Sequence, residues 1–401
     1  MDIDINFTIT QLIKVLPEFV VALLLAAILT PLMGKVAKLI GAIDLPAKLR
    51  KRGDRTIETR IHKKPLPRLG GVAIFIAFVS LVFYVYGFTL FTVSLGLSLS
   101  LLTVAGIIDD KFDLHGGLQL LFQILAILIV ILAGTRMLEI DIFGVYLNFE
   151  RITIPFEILN QALVFIFPAD IFTLIWFLII INAMNWVAGI DALEETMGWI
   201  AGITLMLIAV KYGKNDMLPY ISIFSGAVIG FWIFNFPPSK ILGGTVGNTL
   251  IGLLLAVFSI QIDGKFTTTL LLLAVPLIDF VWVLSGRIIN YKVINPARLM
   301  TISGKHHLHH RLMDLGYSNK QILLIEISIF SAFGVLAYYM AGFNKATVFI
   351  LSGIGILLFI FSLITILKTR RNNKIINIKK KQGEIVKAGE IKKSPEKEYA
   401  Y

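Results

Sequence analysis

Eleven apolar runs separated by polar loops constrain this chain more than any other feature of its sequence. They are centred in 17–40, 70–86, 90–108, 118–134, 171–187, 198–210, 218–236, 249–261, 266–285, 322–340 and 346–367. A bilayer crossing takes about 20 such residues, because each backbone hydrogen bond must close inside the segment when no water is present. The runs at 198–210 and 249–261 are short for that purpose. Composition agrees with membrane burial: 57% of the 401 residues are hydrophobic, 16% are charged, and mean hydropathy is +0.82. A water-soluble chain of this length carries more charge. The expected fold is therefore all-α, a polytopic integral membrane protein with about 10–11 transmembrane helices. The first run lacks a basic flank and a small-residue cleavage site, so it reads as a span and not as a cleaved signal peptide. With no cysteine, disulfides and thiolate metal sites are excluded.

The net charge of +11 could signal a nucleic-acid partner, but its distribution gives another cause. With the N-terminus outside, 30 of the 37 Lys and Arg residues fall on the inner side and 7 on the outer. The excess of basic residues in cytoplasmic loops fixes that orientation, and no nucleic acid is expected. The inner loops are then 41–69, 109–117, 188–197, 237–248 and 286–321. Residues 1–367 form the transmembrane domain. The tail 368–401 is Lys-rich and poor in aromatics, and reads as a disordered cytoplasmic segment able to rest on anionic membrane lipid. Outside, 135–167 alternates polar and apolar residues around Gly144 and Pro155, the pattern of a short hairpin.

Every loop of unusual polar chemistry lands on the cytoplasmic side, which points to one composite site there. The third run ends in Gly106-Ile107-Ile108-Asp109-Asp110-Lys111-Phe112-Asp113. If the helix continues, Asp109 and Asp113 share a face with Asp110 beside them. Clustered carboxylates repel and persist where a cation such as Mg²⁺ neutralises them; a solvated acidic helix end is the alternative. The first inner loop is basic throughout. Lys63, Lys64 and Arg68 adjoin Pro65-Leu66-Pro67 and the Gly70-Gly71 helix start, where cation and backbone N–H can meet a phosphate. Asn182 and Asn185 stand i,i+3 inside an apolar run, with Gly189 and Asp191 following. Helix-to-helix hydrogen bonding accounts for the amides alone, and the added Asp and Gly favour a polar site. Gly243, Gly244 and Gly247 precede another helix and can offer N–H groups to phosphate. Lastly, Lys305-His306-His307-Leu308-His309-His310-Arg311 packs four histidines into five residues. Zinc or nickel is one reading of it; flanking cations that repel a metal and attract a diphosphate favour an anion-binding loop.

The order of these motifs resembles the polyprenyl-phosphate N-acetylhexosamine-1-phosphate transferases, over about residues 15–340. The matching positions are Pro65 through Gly71, Asp109-Asp110-x-x-Asp113, Asn182-x-x-Asn185 through Asp191, the 236–252 loop, Pro276-x-x-Asp279 and His307-x-His309-His310-Arg311. The resemblance implies transfer of a sugar 1-phosphate from a UDP-sugar to a membrane polyprenyl phosphate, dolichyl or undecaprenyl, with UMP released and Mg²⁺ or Mn²⁺ required. It implies Asp109, Asp110 and Asp191 as catalytic and metal-binding residues. Substrate contacts fall to Lys63, Lys64, Arg68, Asp113, Asn182, Asn185, Gly244, Thr245, His307, His309, His310 and Arg311. A multi-pass plasma-membrane location follows, with a homodimer as one possible assembly. Three positions depart from the family pattern: Ala188 replaces an Asp as in the eukaryotic dolichyl branch, Thr245 stands at a metal-binding Asp, and Gln119 at a basic residue. Ala188 together with the bacterial-like histidines points to an archaeal member. The rival reading is a catalytically impaired relative that binds polyprenyl phosphate or regulates an active paralogue. A transporter would place charge at mid-bilayer, whereas here the carboxylates sit at span ends.

Overall fold

The computed structural model describes residues 5–46, 64–142, 145–158, 161–262, 266–301 and 307–341. Lys63, the eleventh run and the tail 368–401 lie outside the described residues. After a short amphipathic α1 (Ile5–Lys14), the first four runs become α2 (Leu16–Ile40), α3 (Gly70–Tyr86), α4 (Leu90–Phe112) and α5 (Gly116–Leu132). The next four become α6 (Ala169–Val187), α7 (Leu193–Lys211), α8 (Leu218–Asn235) and α9 (Gly244–Gln261). The short sixth and eighth runs reach spanning length because polar residues join their helices, Glu194 and Glu195 in α7 and Thr245 through Thr249 in α9. α14 (Asn319–Met340) starts on a capping box in which Ser318 and Gln321 satisfy each other's backbone N–H groups.

The ninth run is not one helix. It divides into α10 (Phe266–Leu272) and α11 (Ala274–Tyr291). Pro276 has no N–H to give the Leu272 carbonyl four residues back, and its ring crowds that carbonyl, so the ladder breaks there. The expected single outer hairpin is two antiparallel pairs. β3 (Glu139–Ile142) pairs with β4 (Val145–Asn148), and β5 (Glu150–Ile158) with β6 (Gln161–Pro168), placing Ile154 opposite Phe165. Alternation of polar and apolar residues marked the region as strand but did not fix how many turns it holds.

Eight of these helices are long and apolar enough to cross a membrane, and α3 and α5 are shorter apolar helices. This is a multi-pass, all-α membrane protein. α7 and α9 are buried along most of their length, whereas α2 buries one strip, Ala22, Ala26, Thr30 and Ala37, and exposes Leu24, Ile28 and Leu39. That is the pattern of a lipid-facing helix, whose apolar outer face the bilayer covers. A Cβ on Gly226 or Gly230 of α8 would strike the Phe19 or Leu23 carbonyl of α2, so these two helices touch through their backbones. Phe78, Phe224 and Phe258 join α3, α8 and α9, with ring centroids 6.4 and 5.7 Å apart. Because the helices alternate in direction, the C-terminal ends of α2, α4, α6 and α8 gather with the N-terminal ends of α3, α5, α7 and α9. The described residues of every polar motif singled out in the sequence lie at that end, and both hairpins lie at the other.

Candidate active site

The acidic end of α4 is the centre of this region. The helix continues through Asp109 and Asp110, whose residues are 6% and 4% exposed. It stops at Phe112. Asp113 turns into the left-handed region at φ 51°, with its N–H on the Asp109 carbonyl at 2.8 Å, so it does not stack one turn below Asp109 as a continuous helix would require. Asp109 Oδ1 accepts from Leu114 N–H at 2.8 Å and from the Gln119 amide at 2.7 Å, while the Thr245 hydroxyl donates to Oδ2 at 2.5 Å. Asp110 accepts the Thr245 N–H at 3.0 and 3.1 Å and pairs with Arg68 Nη2 at 3.1 Å. Buried carboxylates need this density of donors.

Two loops deliver those donors, and they are zipped together. β1 (Ile43–Asp44) pairs with β2 (Leu66–Pro67). Leu242 N–H then donates to Pro67 O at 2.8 Å, Gly70 N–H to Leu242 O and Gly71 N–H to Gly243 O, both at 2.9 Å. A Cβ on Gly71 would collide with Gly247, and one on Gly244 (φ +69°) with the Arg68 carbonyl and the Asp110 carboxylate. The glycines are therefore there for close backbone approach. The N–H groups of Gly70, Gly71 and Gly247 are engaged on backbone carbonyls, and that of Thr245 on Asp110. The open phosphate cradle expected of these Gly-rich stretches is thus not what they form. Spacing alone could not show that two such stretches would satisfy each other. Arg68 lies inside this junction and Lys64 on the surface. Burial on its own would lower the Arg68 pKa, but Asp110, Asp44, Asp109 and Asp113 outweigh it and hold the guanidinium above its ordinary value.

The Asn182–Asp191 segment separates into two parts. Asn182 donates to Gln123 of α5 and to the Leu178 carbonyl, each at 2.8 Å, which is the helix-to-helix role left open by the sequence. Asn185 faces the site instead, 2.9 Å from the Asn248 amide. With its nitrogen turned to acceptors, Asn248 donates instead to Gly244 O at 2.8 Å and to Glu194 Oε2 at 2.7 Å, and its oxygen is the atom that faces Asn185. Asp191 accepts from Ser239 N–H at 3.3 Å; the Ser239 hydroxyl reaches Asn235 at 2.9 Å, and Asn235 reaches Glu195 at 2.7 Å. Glu194, Glu195, Asn235 and Asn248 were not among the candidate residues. Charged residues at a helix start are ordinarily solvated, and only the burial of both glutamates, at 1% and 4% exposure, distinguishes these.

The histidine loop packs against the same end. His307 Nδ1 is 2.7 Å from Asp279 Oδ2, and Leu308 N–H donates to Asp279 Oδ1 at 2.7 Å, so α11 anchors the start of α13 (Leu308–Asp314). The His309 ring lies where any Cβ on Gly189 would stand. Burial, then the His310 and His307 neighbours, hold the His309 pKa well below its ordinary value, so it is a neutral imidazole and not a cation of the loop. The Arg311 guanidinium sits 4.5 Å over the Trp282 ring, and Arg287 4.1 Å over Trp186.

Among the described residues no three His, Asp or Glu side chains form a metal-holding group. Asp109 and Asp110 come together, and Asp191 does not join them as a third ligand. Two carboxylates are nonetheless a hard-oxygen donor set suited to Mg²⁺, which commonly takes one or two from protein and the remainder from phosphates and water.

Residues 91–263, which span the acidic pair, Asn185, Asp191 and Thr245, match the family described as "Glycosyl transferase family 4". The chain is 29% identical over 359 residues to the "Probable undecaprenyl-phosphate N-acetylglucosaminyl 1-phosphate transferase" of Bacillus subtilis, covering 88% of this chain and 91% of that one. It is 29% identical over 317 residues to a decaprenyl-phosphate N-acetylglucosaminephosphotransferase of Mycobacterium tuberculosis, covering 70% and 73%. A phospho-N-acetylmuramoyl-pentapeptide-transferase of Streptococcus uberis is 28% identical over 254 residues, covering 60% and 75%. With these residues on helix ends that meet at one end of a membrane bundle, the chain is similar over residues 91–263 to glycosyl transferase family 4 and is an integral-membrane phosphotransferase of the glycosyl-1-phosphate type.

Proposed function

We propose that this enzyme transfers a sugar 1-phosphate, N-acetylglucosamine 1-phosphate first among candidates, from a UDP-sugar to a membrane polyprenyl phosphate on the cytoplasmic face. An oxygen of the lipid phosphate attacks the phosphorus that carries the sugar. The bond from that phosphorus to the oxygen of UMP breaks, leaving a lipid-linked diphosphosugar and UMP. The observation that carries this reading is the junction itself: two adjacent buried carboxylates, a half-buried guanidinium and a polar network from Asn185 to Glu195 meet at the membrane-surface end of the helices. The names of the relatives support a polyprenyl phosphate acceptor and an N-acetylglucosamine phosphate donor. The basic residues of the loops at this end favour the cytoplasmic side.

The reaction joins two anions, so their repulsion must be cancelled before in-line attack. Asp109 and Asp110 would hold a divalent cation, Mg²⁺ or Mn²⁺, that neutralises the phosphates and polarises the P–O bond. Either aspartate can accept a proton from a singly protonated lipid phosphate. Arg68 and Arg311 supply forked donors for phosphate oxygens. Asn185, held by Asn248, and Asp191, held by Ser239, face the nucleotide-sugar. His307, oriented by Asp279, and His310 complete the contacts of the sugar phosphate.

The test is UMP release from a panel of UDP-sugars by membranes containing the protein, with undecaprenyl or dolichyl phosphate and Mg²⁺. Release with one donor, together with a lipid-linked product, is the expected result. No release from any donor, in membranes where a B. subtilis relative is active, would refute the reading. A specific observation favours one rival: two of the three departures from the family pattern, Thr245 and Gln119, bond to the same carboxylate, Asp109. A protein impaired by them would bind polyprenyl phosphate and release no UMP.

A further inference from the structure

Asp110 is fully enclosed in the acidic junction. Its side chain is 0% exposed, and its oxygens are occupied by Arg68 Nη2 at 3.1 Å and by the Thr245 N–H. A carboxylate in that state cannot also hold a divalent cation, because the guanidinium occupies the place beside its oxygen and repels the ion. Arg68 differs from its partner. Its side chain keeps 15% exposure, and its Nη1 lies 3.9 Å from Asp113, whose side chain is 62% exposed. The guanidinium thus runs from the buried carboxylate to the aqueous edge. Its main chain is fixed by Arg68 N–H to Ala42 O at 3.1 Å and by the pairing of β1 with β2. Only the side chain is free to swing.

We propose that Arg68 is the resting counterion of Asp110 and that the pair opens by exchange, the guanidinium passing to a substrate phosphate as the carboxylate takes the divalent cation. The exchange conserves charge pairing: one Arg–Asp pair becomes an Arg–phosphate pair and an Asp–cation pair. A guanidinium suits both partners because its planar fork matches carboxylate and phosphate alike, which an ammonium does not. The scheme also reconciles two roles that the static geometry sets against each other, Arg68 as a phosphate contact and Asp110 as a metal contact. It rests on the transfer reaction proposed above. The phosphate has two sources, the lipid phosphate and the nucleotide diphosphate, and the experiment separates them.

The test reads cation binding directly, by electron paramagnetic resonance of Mn²⁺ titrated into the detergent-solubilised full chain, corrected for the ligands' own Mn²⁺ binding. Without substrate, Arg68→Met should bind Mn²⁺ at least about tenfold more tightly than wild type, since the competing cation is gone, and Arg68→Lys should remain weak. Adding undecaprenyl phosphate or UDP to wild type should tighten Mn²⁺ binding in whichever arm receives the guanidinium, and should leave Arg68→Met unchanged. Removing Arg68 strands a buried carboxylate, so Arg68→Met can fail to fold. In that case the two ligand arms in wild type and in Arg68→Lys decide the matter. Mn²⁺ affinity in folded Arg68→Met equal to or below wild type would overturn the exchange, as would wild-type affinity that neither ligand raises. Sugar transfer is scored separately: UMP release without metal–phosphate coupling sinks only the exchange, and no release from any donor sinks the reaction.

Discussion

Thr245→Asp introduces the carboxylate that the resemblance expects at this position, beside the pair proposed to hold a divalent cation, and its effect follows from the contacts of Thr245. The Thr245 hydroxyl gives Asp109 a hydrogen bond at 2.5 Å, and its N–H serves Asp110. An aspartate keeps the backbone bond and exchanges the hydroxyl for a third carboxylate against Asp109. A hydrogen bond to a charged group contributes about 1.5–3 kcal/mol. Two carboxylates about 4 Å apart repel by about 4 kcal/mol at an effective dielectric near 20. Arg68 already neutralises part of this charge, so the metal-free variant should lose about 3–5 kcal/mol of stability.

A divalent cation reverses the sign. It meets one more negative charge at the same distance, with twice the interaction per pair, although most of that gain is offset by the waters the ion must release. A net gain of about 1.4–2.8 kcal/mol is 10- to 100-fold in affinity. Thr245→Asp should therefore melt early in chelator, recover in millimolar Mg²⁺, and release UMP at lower Mg²⁺ than wild type. Thr245→Val is the control, because it loses the hydrogen bond without adding charge and should melt early whether Mg²⁺ is present or not. Thermal unfolding in detergent and UMP release across a Mg²⁺ series are the assays. Equal melting of Thr245→Asp and wild type in chelator, or unchanged Mg²⁺ dependence, would show that position 245 does not face a bound cation.

Asp109→Asn should cut transfer by at least about 100-fold while the protein still elutes as a folded species from size exclusion, since the amide keeps the volume of this buried side chain and an acceptor oxygen for its donors while removing its charge; wild-type turnover would refute its role. Asn182→Leu should lower the melting temperature and change the Michaelis constant for the UDP-sugar little, and the double variant with Gln123→Leu should cost less than the two singles summed, because Asn182 donates to Gln123 and to the Leu178 carbonyl. For His309, burial holds the folded pKa well below the unfolded value of about 6.5, so unfolding takes up a proton below that pH. Its contribution to stability is complete above pH 6.5 and falls as the pH drops beneath it, by up to about 1.4 kcal/mol per pH unit; His309→Gln should flatten that acid limb in thermal melts from pH 7 to 5, and an unchanged slope would count against a neutral buried imidazole.

The spans were legible because lipid leaves the chain little choice: a run of twenty apolar residues must be helical, and ten of the eleven runs are helices among the described residues. Legibility fell where polarity changed meaning. Asp109, Asp110, Asn185, Asp191 and the histidine loop stood out because unusual residues sat at span ends. Glu194 and Glu195 did not, because a charge at a helix start is ordinarily wet and nothing in the local sequence says that α8 and α9 will close over it. The same limit misread the glycines. Gly70-Gly71 and Gly243-Gly244 each looked like a phosphate loop, and a pattern read one segment at a time cannot show two such segments satisfying each other's N–H groups. Arg68 followed from the same blindness: next to a Pro-rich turn it reads as a free cation, whereas Asp44 and Asp110, 24 and 42 positions away, surround it.

Thr245 and Gln119 show what the sequence holds once the fold is known. Read alone, each is a lost charge, a carboxylate gone from one loop and a cation gone from another. In the fold both side chains end on Asp109, the amide on Oδ1 and the hydroxyl on Oδ2. One change removes a negative charge from the carboxylate's surroundings and the other removes a positive charge, so the net charge around Asp109 is the same as in the family pattern. Two independent losses would leave Asp109 with an unmatched oxygen, and it has none: Leu114 N–H, the Gln119 amide and the Thr245 hydroxyl between them serve both. A charge-neutral pair of replacements on one buried carboxylate fits a retuned site, in which a divalent cation would be held by fewer protein charges and more by the phosphates of the proposed substrates.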